Sequence, residues 1–187
     1  MISYMAKNHC VVSTMNCMCW DVDALNHAGI YADGDLDNGT LVTLKEINHD
    51  STSGAVKGFE YIVEPAKAGA NNVYVVNTPE VGYTIEMQMM SDPRCFYNEA
   101  GRPMSIKAIM SGVDVLEITK EAFVGETLPT LAQIGQYVAP AANGKYAAPV
   151  AEAPGSGAYF KVEGLHSIAC GNEIVPTVLL RCMANQL

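Results

Sequence analysis

The pattern of apolar and polar positions changes near residue 38. Up to about residue 32 there is neither clean alternation nor a capped amphipathic helix, and Met15, Met18 and Trp20 stand among polar neighbours. That stretch reads as an irregular arm. From Asn38 onward the chain reads as short strands broken by turns. Asn38-Gly39 is a tight-turn dipeptide, since both residues tolerate the positive φ such turns require. Residues 40–47 follow with Val42 and Leu44 on one face. Phe59, Tyr61 and Val63 then alternate with Glu60 and Glu64 up to Pro65, the period-2 signature of a half-buried strand. Residues 73–76 are a β-branched and aromatic run closed by Asn77-Thr78-Pro79.

Alternation returns over residues 113–119, and further strands are expected at 136–138, 146–150, 158–163 and 174–182. Residues 84–90 read as another strand or the lead into a long loop. Residues 120–123 and 128–134 have room for a helical turn each, but not for a packed amphipathic helix. Asn143-Gly144 marks a second turn, inside an Ala-, Pro- and Gly-rich segment, 139–157, that reads as loops around an edge strand. About eight short strands make a mainly β fold, a small barrel or sandwich. The expected organisation is an N-terminal arm, residues 1–32, and a single β-rich domain, residues 33–187.

Composition narrows the function classes. The 187 residues are 49% hydrophobic and 17% charged, which suits one domain with a real core and excludes disorder throughout. Eleven Lys and Arg face 20 Asp and Glu, a net charge of −9, and the cations are scattered singly. A nucleic-acid partner is not expected, because a polyphosphate needs a basic face. Between Lys7 and Lys45 lie Asp21, Asp23, Asp33, Asp35 and Asp37 and no cation, either a solvated acidic surface or a patch aimed at a basic partner. The longest charge-free stretch, 127–144, is interrupted by Pro129, Gly135 and Pro140, so no membrane span is expected. Lys7 followed by residues 10–20 imitates the start of a secretory signal. Ser13, Thr14 and Asn16 break that run and no small-residue cleavage site follows, so an unprocessed cytoplasmic product is expected.

No motif specifies a reaction. The six cysteines are too sparse for a disulfide scaffold and read as reduced thiols. His9, Cys10, Cys17, Cys19 and His27 are zinc-ligand types, but their spacing fits no standard finger, so apolar packing is the preferred reading. Counting from Asp33 as in a calcium loop, the sixth position is Asn38 where Gly is needed and the twelfth is Leu44 where a bidentate Glu is needed. Neither Ser111 nor Ser156 sits in G-x-S-x-G. No catalytic residue, cofactor or metal is expected, and the chain does not read as an enzyme.

A series of short motifs carries a resemblance: Gly39-Thr40-Leu41-Val42-Thr43-Leu44, Asn77-Thr78-Pro79-Glu80-Val81-Gly82-Tyr83, Phe96-Tyr97-Asn98-Glu99-Ala100-Gly101-Arg102-Pro103, and Val115-Leu116-Glu117-Ile118-Thr119 with Phe123-Val124-Gly125. In this order they resemble small virion proteins of tailed bacteriophages, the decoration, cement and head-fibre components. The resemblance covers residues 38–187 and leaves the arm without a counterpart. It implies a capsid auxiliary protein that is made in the host cytoplasm and resides on the virion exterior. It also implies that the protein binds the major capsid protein, stabilises the head and forms a symmetric homo-oligomer. A charge of −9 fits the outer face, since DNA lies inside. Tyr4, Met15, Met18 and Trp20 are then candidate capsid contacts, with plain core packing as the equal alternative. The other function to weigh is a carbohydrate- or receptor-binding β module of a head fibre or tail, which requires exposed aromatic platforms. A small enzyme or metal protein using the Cys/His arm is a third.

Overall fold

A computed structural model describes residues 8–81 and 92–186. Among these residues ten strands run in chain order: β1 (Val12–Asn16), β2 (Asn26–Ile30), β3 (Leu41–His49), β4 (Val56–Pro65), β5 (Val73–Val76), β6 (Pro103–Ala108), β7 (Val115–Thr119), β8 (Tyr137–Val138), β9 (Tyr159–Cys170) and β10 (Glu173–Ala184). One sheet has the order β1-β7-β10-β9-β8, and β2-β4-β3-β5-β6 close into a barrel. Every pairing is antiparallel except β2 with β4. Helix among the described residues is confined to three-residue 3-10 turns, including Lys120–Ala122 and Leu131–Gln133.

The mainly β reading therefore holds, with barrel and sheet both present, but the arm reading needs correction. Residues 12–16 are the outer strand of the sheet and residues 26–30 are a stave of the barrel. The period was hidden because β1 turns Val12 and Thr14 inward and Met15 out, which inverts the usual polarity at two positions. In β2, Gly29 occupies a place where a Cβ would press on Val63 and Ile106, so the strand lacks the β-branched residues that would have announced it. β6 also went unread. Residues 146–150 make only isolated bridges, Tyr146 to Phe123 and Pro140 and Val150 to Tyr137. The 84–90 run lies outside the described residues.

Two cores share the barrel wall. Leu36, Val42, Val63, Val76, Met104 and Ile106 fill the barrel interior. The larger core joins the barrel's outer wall, Leu41, Val73 and Val75, to Leu116 and Ile118 of β7, Phe160 and Val162 of β9, and Val178, Leu180 and Cys182 of β10. Successive strand residues point to opposite faces, so β5 must be apolar throughout, with Val73 and Val75 toward the sheet and Val76 toward the barrel interior. Each such side chain contributes about 1.5–3 kcal/mol on burial.

The two Asn-Gly turns are fixed by close approach. Gly39 has φ +85° with the Cys10 sulfur 2.7 Å from where a Cβ would lie, and Gly144 has φ +69° against the Leu41 carbonyl. Buried Asn38 tightens the first turn: its Oδ1 accepts from Thr78 N at 3.0 Å and its Nδ2 donates to Thr78 O at 2.8 Å.

Candidate functional site

The four contact candidates separate. Met15 and Trp20 are 81% and 61% exposed. Met18 is half-buried, and Tyr4 lies outside the described residues. Their neighbours in sequence, Cys10, Val12, Cys17 and Cys19, belong to the main core. The segment thus has a buried side in the main core and an exposed side.

Trp20 closes the 3-10 turn Met18–Trp20, which follows β1 directly. Fully buried Asp114 fixes that turn, accepting Met18 N at 2.8 Å through Oδ1 and Met110 N at 2.7 Å through Oδ2. The indole is also held. Its Nε1 donates to Thr14 Oγ1 at 3.0 Å, and the Lys107 ammonium lies 4.8 Å from the ring centroid, a cation–π distance. Lys107 Nζ donates to Asn26 Oδ1 at 2.8 Å, so strand β2 positions the cation over the ring. Thr14 Oγ1 accepts a second bond from Asn77 Nδ2 at 2.5 Å.

These residues border a groove of about 490 Å³ between the β1 edge and the barrel, with Ser13, Met15 and Trp20 on one bank and Asn77, Glu80 and Ser105 on the other. It offers a rigid aromatic surface, a flexible thioether, hydroxyl and amide groups, a carboxylate and an ammonium. Such groups are chemically suited to stacking and hydrogen bonding. Sequence reading found the Trp20 bank and missed Asn77, Ser105 and Lys107, because only the pairing of β5 and β6 brings them there.

The other sequence candidates are accounted for by packing. All six cysteines are buried. Burial pushes the thiols of Cys10 and Cys182 up to about 12 and raises those of Cys17 and Cys19 as well. Such thiols stay protonated, which favours packing over nucleophilic or ligand roles. His9 Nδ1 pairs with Asp37 Oδ1 at 2.7 Å, while the His27 ring packs edge-on against Tyr61 and Tyr74. Among the described residues no three His, Cys, Asp or Glu side chains converge on a metal-sized point. Asp35 Oδ1 accepts from Ala100 N at 2.9 Å, which makes the aspartate run a structured loop. His166, on the exposed middle of β9, meets Glu117 Oε1 at 2.7 Å.

Among the described residues no helix is long and apolar enough to cross a membrane. Comparison of the chain with protein-family models, curated proteins and solved structures returned no match.

Proposed function

We propose that this chain is a non-enzymatic structural protein of a tailed-bacteriophage virion, an auxiliary protein that docks on the outer capsid surface, contacts the major capsid protein and stabilises the head. The observation that carries the docking is the pair Met15 and Trp20, large, exposed and side by side on the groove at the outer strand of the sheet. Anchored aromatic residues beside an open strand are the usual energetic centres of protein interfaces. The assignment to a virion draws on the motif resemblance over residues 38–187 and on the acidic charge, which suits a surface away from DNA.

Repetition supplies the rest of the argument. Many copies on a symmetric lattice gain avidity from modest single contacts, so one small groove per copy suffices. A second apolar area, Ile47, Val56 and Phe59 on β3 and β4, is available for contacts between copies in an oligomer. Density-gradient fractionation of a lysate from the native source, with peptide mass spectrometry, tests the assignment. Co-migration with intact particles in many copies is expected; recovery only as free protein overturns it.

One observation favours a carbohydrate-binding module as the second reading. Trp20 is the only tryptophan, its ring is held by Thr14 and Lys107, and amide, hydroxyl and carboxylate groups line the same groove. Pyranose rings stack on such platforms. Tryptophan fluorescence reports on this groove alone, so quenching by purified host-surface oligosaccharides, lost in Asn77→Ala, would support this reading over capsid docking.

A further inference from the structure

A second pocket lies away from the Trp20 groove, where the 33–37 loop meets the Lys120–Ala122 turn and the Asn143-Gly144 turn, with a volume of about 310 Å³. Among the described residues three carboxylates line it, Asp35, Asp37 and Glu121, against the one ammonium of Lys145. Two of the three are partly engaged. Asp35 Oδ1 accepts from Ala100 N, and Asp37 accepts from His9 Nδ1 through Oδ1 and from Cys10 N through Oδ2. Glu121 differs. It is only 7% exposed, and its Oε2 is buried without a hydrogen-bond partner among the described residues.

A carboxylate in that position is costly unless a donor meets it. The chemistry of the donor follows from the layout. No three acidic, Cys or His side chains among the described residues converge on one point, so a single metal ion or a compact ammonium cannot serve all three carboxylates. A guanidinium suits such a spread of acceptors better, because its five N–H groups fan out in a plane instead of converging on one point. Leu36, Pro65 and Ala122 line the same pocket and suit the methylene stem that carries such a head group.

We propose that this pocket receives the guanidinium of an arginine side chain presented by the surface on which the protein docks, with Glu121 as the inner anchor and Asp35 and Asp37 as the outer acceptors. The partner surface rests on the docking reading above; the ligand chemistry rests on the pocket alone. Arginine gains most from such a site, since charge-assisted bonds to carboxylates are strongest where water is excluded. The acidic run from Asp21 to Asp37 then supplies the field that steers a basic partner to it.

The test uses the full chain and three probes: Nα-acetyl-arginine amide, Nα-acetyl-lysine amide and calcium chloride, each followed by backbone amide shifts in NMR titrations. The arginine derivative is expected to shift the amides around Asp35, Glu121 and Gly144 and to bind about tenfold more tightly than the lysine derivative. Glu121→Gln is expected to weaken that binding about tenfold. Asp35→Asn, which keeps the acceptor for Ala100 N, serves as a second, fold-conserving variant and is expected to weaken it too. Glu152→Gln, on the exposed 151–153 loop, is expected to leave it unchanged. Equal binding of lysine derivative or calcium, absence of localised shifts, or unaltered binding by both Glu121→Gln and Asp35→Asn overturns the proposal. Arginine binding by a protein that fails to attach to shells overturns the docking reading and leaves the pocket standing.

Discussion

Trp20 and Thr14 are joined by a 3.0 Å hydrogen bond from the indole Nε1 to the threonine Oγ1, which ties the exposed ring to the last buried position of the outer strand. The ring is therefore presented, not left loose, and little rotamer freedom is lost when a partner covers it. Trp20→Ala is expected to weaken attachment to isolated shells at least about tenfold, or about 1.4 kcal/mol. The folding free energy should fall by only about 1 kcal/mol, the scale of the lost cation–π contact. Shell co-sedimentation and urea unfolding measure the two quantities side by side.

Residues 8–20 contribute both surface and core. Removing residues 1–20 takes Cys10, Val12, Cys17 and Cys19 from the main core and β1 from the sheet. The truncated chain is expected to lose cooperative unfolding as well as attachment, seen as loss of a sharp thermal transition in circular dichroism. A sharp transition near that of the full chain would show that the strand is dispensable.

The hydroxyl of Tyr146 is fully buried and has no hydrogen-bond partner among the described residues, with Cys10, Cys17 and Cys182 as its electrostatic neighbours. Tyr146→Phe keeps the ring that packs 5.5 Å from Phe160 and removes the orphan group. A stability gain of about 1 kcal/mol is expected in urea denaturation. A loss of similar size would mean that the hydroxyl is bonded in solution.

Arg94 ties the Pro93–Cys95 turn to the β9–β10 hairpin. Its Nε and Nη2 donate to the two Asp92 oxygens at 3.0 and 2.8 Å, and its Nη1 donates to Glu173 Oε2 at 2.7 Å. Arg94→Met leaves the buried Asp92 carboxylate without this guanidinium, and a loss of about 3 kcal/mol is expected. Glu173→Gln, at the exposed end, should cost less than about 1 kcal/mol.

Alkaline pH should destabilise the fold through the thiols. Burial pushes Cys10 and Cys182 from 9.0 up to about 12. The unfolded chain loses these protons near pH 9 while the folded chain keeps them, so the unfolded state binds fewer protons between those values. Stability is then flat below about pH 9 and falls as pH rises toward 12. Urea midpoints recorded across that window check the sign, and Cys182→Ala should flatten the slope whatever it does to the absolute stability.

The strands that were legible in the sequence are those with one clear period. Residues 73–76 read correctly because four apolar residues between turn signals suit a strand buried on both faces. The β9–β10 hairpin was seen only in part, since Leu165, His166, Ser167 and Ala169 are exposed and carry no alternation. β1 and β2 were missed because Thr14 is buried, Met15 is exposed and Gly29 fits a tight wall, three exceptions close together in the chain. At the candidate site the exposed Trp20 was readable as a candidate. The far bank was not, because Asn77 and Lys107 meet it through strand pairings that sequence spacing does not encode. Glu121 was one carboxylate among 20, and what singles it out is a buried oxygen without a hydrogen-bond partner among the described residues.

Oxidative footprinting of intact particles tests the docking claim most directly, since Met15 and Trp20 are both exposed and both readily oxidised. Free protein and purified virions are exposed to the same hydroxyl-radical dose, and modification at each residue is read by peptide mass spectrometry. The account predicts strong labelling of Met15 and Trp20 in the free protein and protection of both in the particle, with exposed Ile174 on the β9–β10 hairpin as an internal reference. Equal labelling of Met15 and Trp20 in the two samples would contradict it.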